Sequence, residues 1–162
     1  MSRRIDHSSG LGCAVPADWE IRLDPAEGTA YAVLEAPREI DGHPAFRANL
    51  VATVGTTGGL GFRDWQAGTD ELLPRVLADY QLIDLEKLTI DRHPGGRRLA
   101  HHASEEAGPL TMEQWFALVD GTGYTLTATV DTWRYDGFAD LFAQVAATIV
   151  LPRSNPSGNE EP

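Results

Sequence analysis

Two adjacent histidines, His101 and His102, are the first residues whose types could do chemistry, because imidazole ligates metals and moves protons near neutral pH. Neighbours on a strand point to opposite faces, so both cannot ligate one ion in regular geometry. His93 falls in a turn signal, His43 in a loop and His7 in a polar terminus, and neither a paired-cysteine pattern nor HExxH accompanies them. No metal site is expected. Cys13 is the single thiol. A nucleophilic thiol needs a base held beside it, and no spacing supplies one, so Cys13 reads as a small, buried residue of the first strand. No GxSxG is present, which removes the α/β-hydrolase nucleophile. The Gly/Thr run from Gly55 to Gly61 lacks the Gly-Lys-Ser/Thr ending and the GxGxxG spacing of a phosphate cradle. Glu105 and Glu106 sit beside Gly108 in a loop and read as solvated charge. No catalytic residue, cofactor or metal ligand is assigned, and no enzyme is expected.

The residues that could bind are aromatic. Trp133, Arg134 and Tyr135 stand together just before a helical stretch, and Trp, Tyr and Arg dominate binding hot spots. Trp65 opens another helical region. The competing reading is that Trp19, Trp115 and Trp133 fill core edges with their ring N–H groups bonded locally.

The rest of the chain is organised around one hairpin, Leu110 to Val130, with Asp120-Gly121-Thr122-Gly123 as its turn. Both arms have apolar residues at nearly every second position, the period of a pleated strand. Placing Val119 opposite Tyr124 sets Ala117 against Leu126 and Trp115 against Ala128, an apolar face. The other face carries Phe116 and Leu118 against Thr125 and Thr127. It is half apolar, so it is expected to be a partly covered or protein-binding surface, with Trp133, Arg134 and Tyr135 at its edge.

Strands are expected at Gly10–Val15, Trp19–Leu23, Thr29–Ala36, Ala45–Val54, Gln81–Asp91 and Gly96–Ser104, with turns at Asp24-Pro25, Asp41-Gly42 and His93–Gly96. In Ala45–Val54 the residues Phe46, Ala48, Leu50, Ala52 and Val54 share one face. Pro74 argues for a short turn near Phe62–Ala67, then a main helix capped by Thr69, with Leu72, Leu73, Val76, Leu77 and Tyr80 inward. The last helix is expected at Gly137–Val150 with Asp136 as N-cap and Phe138, Leu141, Phe142, Val145 and Ile149 as its apolar stripe. Residues 1–9 are expected to be flexible, 10–152 to form one domain, and 153–162 to be a disordered tail. The fold class is α+β, a central antiparallel sheet flanked by two main helices.

Thirteen basic against 24 acidic residues give a net charge of −11, which disfavours nucleic acid and anionic membrane surfaces. No run approaches the ~18 apolar residues of a membrane-spanning helix, so no membrane insertion is expected. Arg3-Arg4 and Gly10-Leu11-Gly12-Cys13 resemble parts of an export signal. The intervening IDHSSG is not an apolar h-region, and a cytoplasmic setting is expected.

Certain stretches occur in a telling order: Pro16-Ala17-Asp18-Trp19, the RANLVATV strand ending at Val54, and Leu77-Ala78-Asp79-Tyr80 running into Gln81-Leu82-Ile83-Asp84. Gln114-Trp115, Tyr124-Thr125-Leu126-Thr127-Ala128-Thr129 and Phe138-Ala139-Asp140-Leu141-Phe142 follow. In this order they resemble the PsbP-like fold and, within it, the LpqN/DcrB-like bacterial proteins, from Gly10 to Pro152. The resemblance implies an antiparallel sheet between helices and a binding or accessory role, as in a photosystem subunit, a nuclear-transport regulator, lipoproteins and chaperone-adaptors of secretion effectors. The chain departs from the lipoprotein members in having no usable lipobox. The expectation is therefore a cytoplasmic adaptor that binds another protein, such as a secretion substrate. The alternative is a small-molecule module with a pocket between sheet and helix. A homodimer through an uncovered face or free edge strand fits the same features.

Overall fold

The structure, a computed structural model, describes residues 1–154. Beyond Ser154, the expected tail lies outside the described residues. Strand β1 (Ser2–Asp6) pairs antiparallel with β2 (Gly12–Pro16) as a separate two-stranded ladder. Then follow β3 (Glu20–Ala26), β4 (Thr29–Leu34), the short β5 (Glu39–Ile40) and β6 (His43–Pro44), and β7 (Asn49–Thr56). Helix α1 (Phe62–Val76) leads into β8 (Ala78–Ile90), β9 (His93–Ser104), β10 (Gly108–Val119) and β11 (Thr122–Asp131). A 3-10 turn (Thr132–Arg134) precedes helix α2 (Tyr135–Ala147). Seven strands form one antiparallel sheet in the order β3-β4-β7-β11-β10-β9-β8. The class is α+β, as the alternation predicts.

The β10–β11 hairpin is the middle of this sheet. Its loop is two residues, Asp120 (φ 49°) and Gly121 (φ 78°), the paired positive angles of a type I′ turn that matches strand twist. The tighter loop moves the register two residues from expectation: Val119 faces Thr122, Ala117 faces Tyr124 and Trp115 faces Leu126. A shift of two leaves every side chain on its expected face. The same chemistry turns β5 into β6 at Asp41 (φ 52°) and Gly42 (φ 78°). Between β8 and β9 the turn is Asp91-Arg92 (φ 44° and 72°), and His93–Gly96 is already strand.

The main core lies on the face bearing Trp115, Ala117, Leu126, Ala128 and Val130, together with Tyr31, Val33, Leu50 and Ala52. Helix α2 contributes Phe142 and Val145, with Ile149 just beyond its end, and β2 contributes Cys13 and Val15, with Leu11 just before it. Each fully buried Val, Leu, Ile or Phe among them stabilises by about 1.5–3 kcal/mol. The expected stripe does pack on the core, but the helix runs from Tyr135 to Ala147, so Ile149 lies beyond it, and Asp136 lies in its first turn without capping it. There its charge still favours the positive end of the helix.

The N-terminus differs from expectation. Residues Ser2–Asp6 are paired, and the ladder is tied to the segment that follows α2 by the Ala14 amide donating to Thr148 Oγ1 (2.8 Å) and by mutual Gly12 and Val150 backbone bonds. The Ser9 amide donates to His7 Nδ1 (3.0 Å), so His7 Nε2–H donates to Asp24 (2.8 Å). Backbone pairing that is invisible in a polar sequence thus orders this stretch.

Helix α1 also differs. It begins at Phe62, with Pro74 confined to its last turn. There proline removes one hydrogen bond without bending the whole helix. Thr69 does not cap; its hydroxyl donates back to the Trp65 carbonyl (3.2 Å). The residues turned to the sheet are Phe62, Trp65, Gln66, Thr69 and Asp70, at i, i+3, i+4, i+7 and i+8, while Leu72 and Val76 are exposed.

Candidate functional site

The expected binding face does not exist as one surface, because α1 lies over part of it. Phe116 is only 2% exposed. Its ring stacks on Phe62 (5.9 Å) and meets Trp65 edge-on (6.3 Å). Gly96 makes room for this ring, since a Cβ there would stand 2.5 Å from it. Gly123 does the same for the Trp65 indole. Leu118, Thr125 and Thr127 are half-buried beside this cluster. Gln114 donates to Thr127 Oγ1 (3.1 Å), and Thr53 donates to the Thr125 carbonyl (3.5 Å).

Under α1 sits Arg98, 1% exposed and the largest fully buried side chain. It donates to Asp70 (2.7 and 3.1 Å), Gln66 (2.8 Å) and Gln114 (2.7 Å), and its guanidinium lies 4.8 Å from the Phe116 ring centroid. A buried guanidinium must have its donors satisfied. That requirement explains why polar residues occupy the inner face of α1.

The aromatic trio separates. Trp133 is 72% exposed. Arg134 is a clasp rather than a free contact: it donates to Glu35 (2.5 and 3.2 Å), Asp131 (2.7 Å) and the Phe46 carbonyl (3.0 Å), and lies over the Phe138 ring. Burial pushes the Glu35 carboxyl up, but Arg134, the Ala48 amide and Arg38 outweigh it, and its pKa ends below the ordinary value. Tyr135 turns to the opposite side and donates to Glu113 (2.5 Å). Burial first, then this bond to a carboxylate, pushes its hydroxyl up to about 12. Glu113 is itself buried and accepts from Arg97 Nε (2.8 Å), which also reaches Asp84 (3.2 Å) and Glu86 (3.4 Å) on β8. Trp19 and Trp115 are core residues, as the local reading had it.

His101 and His102 lie on adjacent positions of β9, and His101 Nδ1 is bonded to Thr111 Oγ1 (2.8 Å). Among the described residues no group of three or more His, Cys, Asp or Glu is placed to hold a metal, and no helix is long and apolar enough to cross a membrane. Burial raises the Cys13 thiol pKa, and its Sγ lies 3.5 Å from Tyr31 Oη.

The surface that stands out is one the sequence reading missed. Strand β8 is an edge of the sheet, thirteen residues long. Leu82, Ile83 and Leu85 on it are 43–46% exposed, and Leu72 and Val76 of α1, just before it in the chain, are 53% and 61% exposed. Between α1 and β8 runs an open cleft of ≈ 590 Å³, floored by Gly95, Gly96 and Phe116 and walled by Phe62, Ala67 and Leu85. Periodicity alone places Leu72 and Val76 inward. That the strand they lead into lies at the sheet edge is not a local property of sequence.

No known family profile matches the chain, and no curated protein matches it in sequence. Solved structures do match. LpqN, involved in cell envelope biogenesis of Mycobacterium tuberculosis, is similar at 13% identity over 94% of this chain and 91% of that one, with a TM-score of 0.71. Cyanobacterial PsbP from Synechocystis sp. is 15% identical over 93% and 92%, with a TM-score of 0.61. A Pseudomonas aeruginosa protein of unknown function is 16% identical over 95% and 99%, with a TM-score of 0.66. At such identities the likeness is one of fold, and the fold is PsbP-like.

Proposed function

We propose, from the PsbP-like fold, that this chain is a non-enzymatic accessory protein of the LpqN/DcrB-like kind that binds another protein. The carrying observation is the run of exposed large apolar side chains along α1 and the edge strand β8. Soluble chains blunt such edges, because unpaired backbone groups beside apolar side chains recruit other chains. The opposite edge, β3, is interrupted within its seven residues by Pro25, a register break between Leu23 and Ala26, and Asp24 at φ 48°, whereas β8, broken in register only before Asp84, runs on uninterrupted to Ile90. The recognition surface therefore moves from the expected sheet face to the sheet edge. The buried polar groups support a non-enzymatic role, since Arg98, Glu113 and Arg134 are all committed to internal partners. A cytoplasmic setting is part of the reading. The burial of Cys13 in β2 supports that setting.

Native capture from the source cell tests this, comparing the wild type with an Ile83→Asp/Leu85→Asp variant. One stoichiometric protein, lost with the variant, supports the reading. A wild type that emerges without a partner, or a partner retained by the variant, overturns it.

A second reading, a small-molecule module, is favoured by the α1–β8 cleft, whose volume falls in the usual ligand range of ~300–1,000 Å³. Ligand-induced melting shifts abolished by Gly96→Val would support it.

A further inference from the structure

We infer that β8 accepts a strand from its partner, and that this strand alternates cationic and apolar residues; the inference rests on the protein-binding reading above. From Asp84 to Ile90, β8 keeps unbroken register with β9, Asp84 facing Leu99 and Ile90 facing His93. Among the described residues, no strand lies on its other side. This segment contains no proline, so it can supply main-chain bonds along its whole length, the mode of β-strand addition.

The two sides of the segment differ in chemistry. Asp84 and Glu86 project on the α2 side, where both reach Arg97 of β9. Both are half-exposed, and the single Arg97 is shared among them and Glu113. The α2 side of this edge therefore keeps net negative charge. Leu85 and Lys87 project on the α1 side, along the apolar cleft. An added antiparallel strand places its residues directly opposite these. Cationic residues belong opposite Asp84 and Glu86, and apolar residues opposite Leu85 and over the cleft.

The same rule argues against a second copy of β8. Antiparallel self-pairing about a two-fold axis normal to the sheet opposes only residues of the same face. Registers centred on Asp84, Leu85 or Glu86 set Asp84 against itself, Asp84 against Glu86, or Glu86 against itself. Like charges directly opposite destabilise a pair. The whole-chain charge of −11 acts in the same direction.

The test uses two fluorescent peptides, one alternating Lys and Val and one alternating Glu and Val, each about eight residues to span the segment at ~3.3 Å per residue. Anisotropy gives affinity, and amide chemical shifts of the labelled full chain give the location. The Lys/Val peptide is expected to bind, more weakly as salt rises, with shifts concentrated at Asp84–Ile90. Asp84→Lys/Glu86→Lys is expected to lose at least tenfold affinity for it and to gain affinity for the Glu/Val peptide. The milder Asp84→Asn/Glu86→Gln variant, which adds no charge beside Arg97, is expected to lose severalfold. Equal binding of both peptides, shifts elsewhere, or no saturable binding overturns the inference. So does a homodimer that the charge swap dissociates, which would assign the edge to a second copy. If native capture retains its partner in the charge-swap variant but loses it in Ile83→Asp/Leu85→Asp, strand addition fails and the protein-binding reading survives. A wild type that captures nothing defeats the broader reading, and the peptide shifts still decide this one.

Discussion

Arg98 and Asp70 meet at 2.7 Å, a strand guanidinium fully buried against a carboxylate of α1 that still touches water. The two partners are unequal. Removing the carboxylate strands a charge with no route to solvent, whereas removing the guanidinium leaves a carboxylate that can rehydrate. Asp70→Ala is therefore expected to cost on the order of 3 kcal/mol, and more than Arg98→Met. Urea denaturation measures both. Equal costs would mean that Gln66 and Gln114, not Asp70, satisfy Arg98.

The Phe116 ring occupies space that only glycine at position 96 leaves open. Gly96→Ala is expected to destabilise by about 1–3 kcal/mol through overpacking. Phe116→Leu in the same chain should recover part of that loss, and a double-mutant cycle reads the coupling directly. Additive losses would show that the ring yields freely.

Glu35 holds Arg134, Arg38 and the Ala48 amide at one corner of the fold. Its folded pKa is depressed, so its stabilisation is complete above the unfolded carboxylate's value of about 4.3 and is lost as pH falls through the lower folded value. Glu35→Gln is expected to cost about 1.5–3 kcal/mol at neutral pH, the range for hydrogen bonds to charged groups. The difference from wild type should shrink in acid, as melting followed from pH 7 to pH 2 would show.

Tyr135 donates to Glu113 inside the groove between α2 and strands β8 to β10. Tyr135→Phe is expected to cost about 1.5–3 kcal/mol, the range for a hydrogen bond to a charged group. The raised hydroxyl pKa of about 12 stabilises the fold fully below the unfolded value near 10 and less as pH rises towards 12. The wild-type advantage over Tyr135→Phe should accordingly narrow in that alkaline window.

Trp133 projects into solvent, apart from Arg134 and Tyr135 beside it in the chain. Trp133→Ala is expected to change stability by no more than about 0.5 kcal/mol. A larger loss would mean that the indole covers core in solution.

Much of the fold was legible because it depends on local spacing. The alternation of the central hairpin, the Asp120-Gly121 turn and the Phe138, Leu141, Phe142, Val145, Ile149 stripe each need only a neighbour's identity. The Arg134 and Tyr135 contacts were not legible. Their partners Glu35 and Glu113 lie far away in sequence, and adjacent residues at a helix start point in different directions. The inner face of α1 misled for a related reason: its apolar periodicity at Leu72 and Val76 faces water, while Gln66 and Asp70 turn inward to satisfy Arg98.

By itself the sequence determined the period of each main strand, the sites of most tight turns, the apolar stripe of α2 and the acidic balance of the chain. These follow from backbone preferences and from the burial of nearby apolar residues. Only the tertiary structure decided that α1 covers Phe116, that the polar N-terminus is a paired strand, and that β8 ends the sheet with apolar residues in the open. Each of those depends on which segments become neighbours across long stretches of chain. Pairing and cover are set by the summed packing of the whole sheet, which no local spacing encodes.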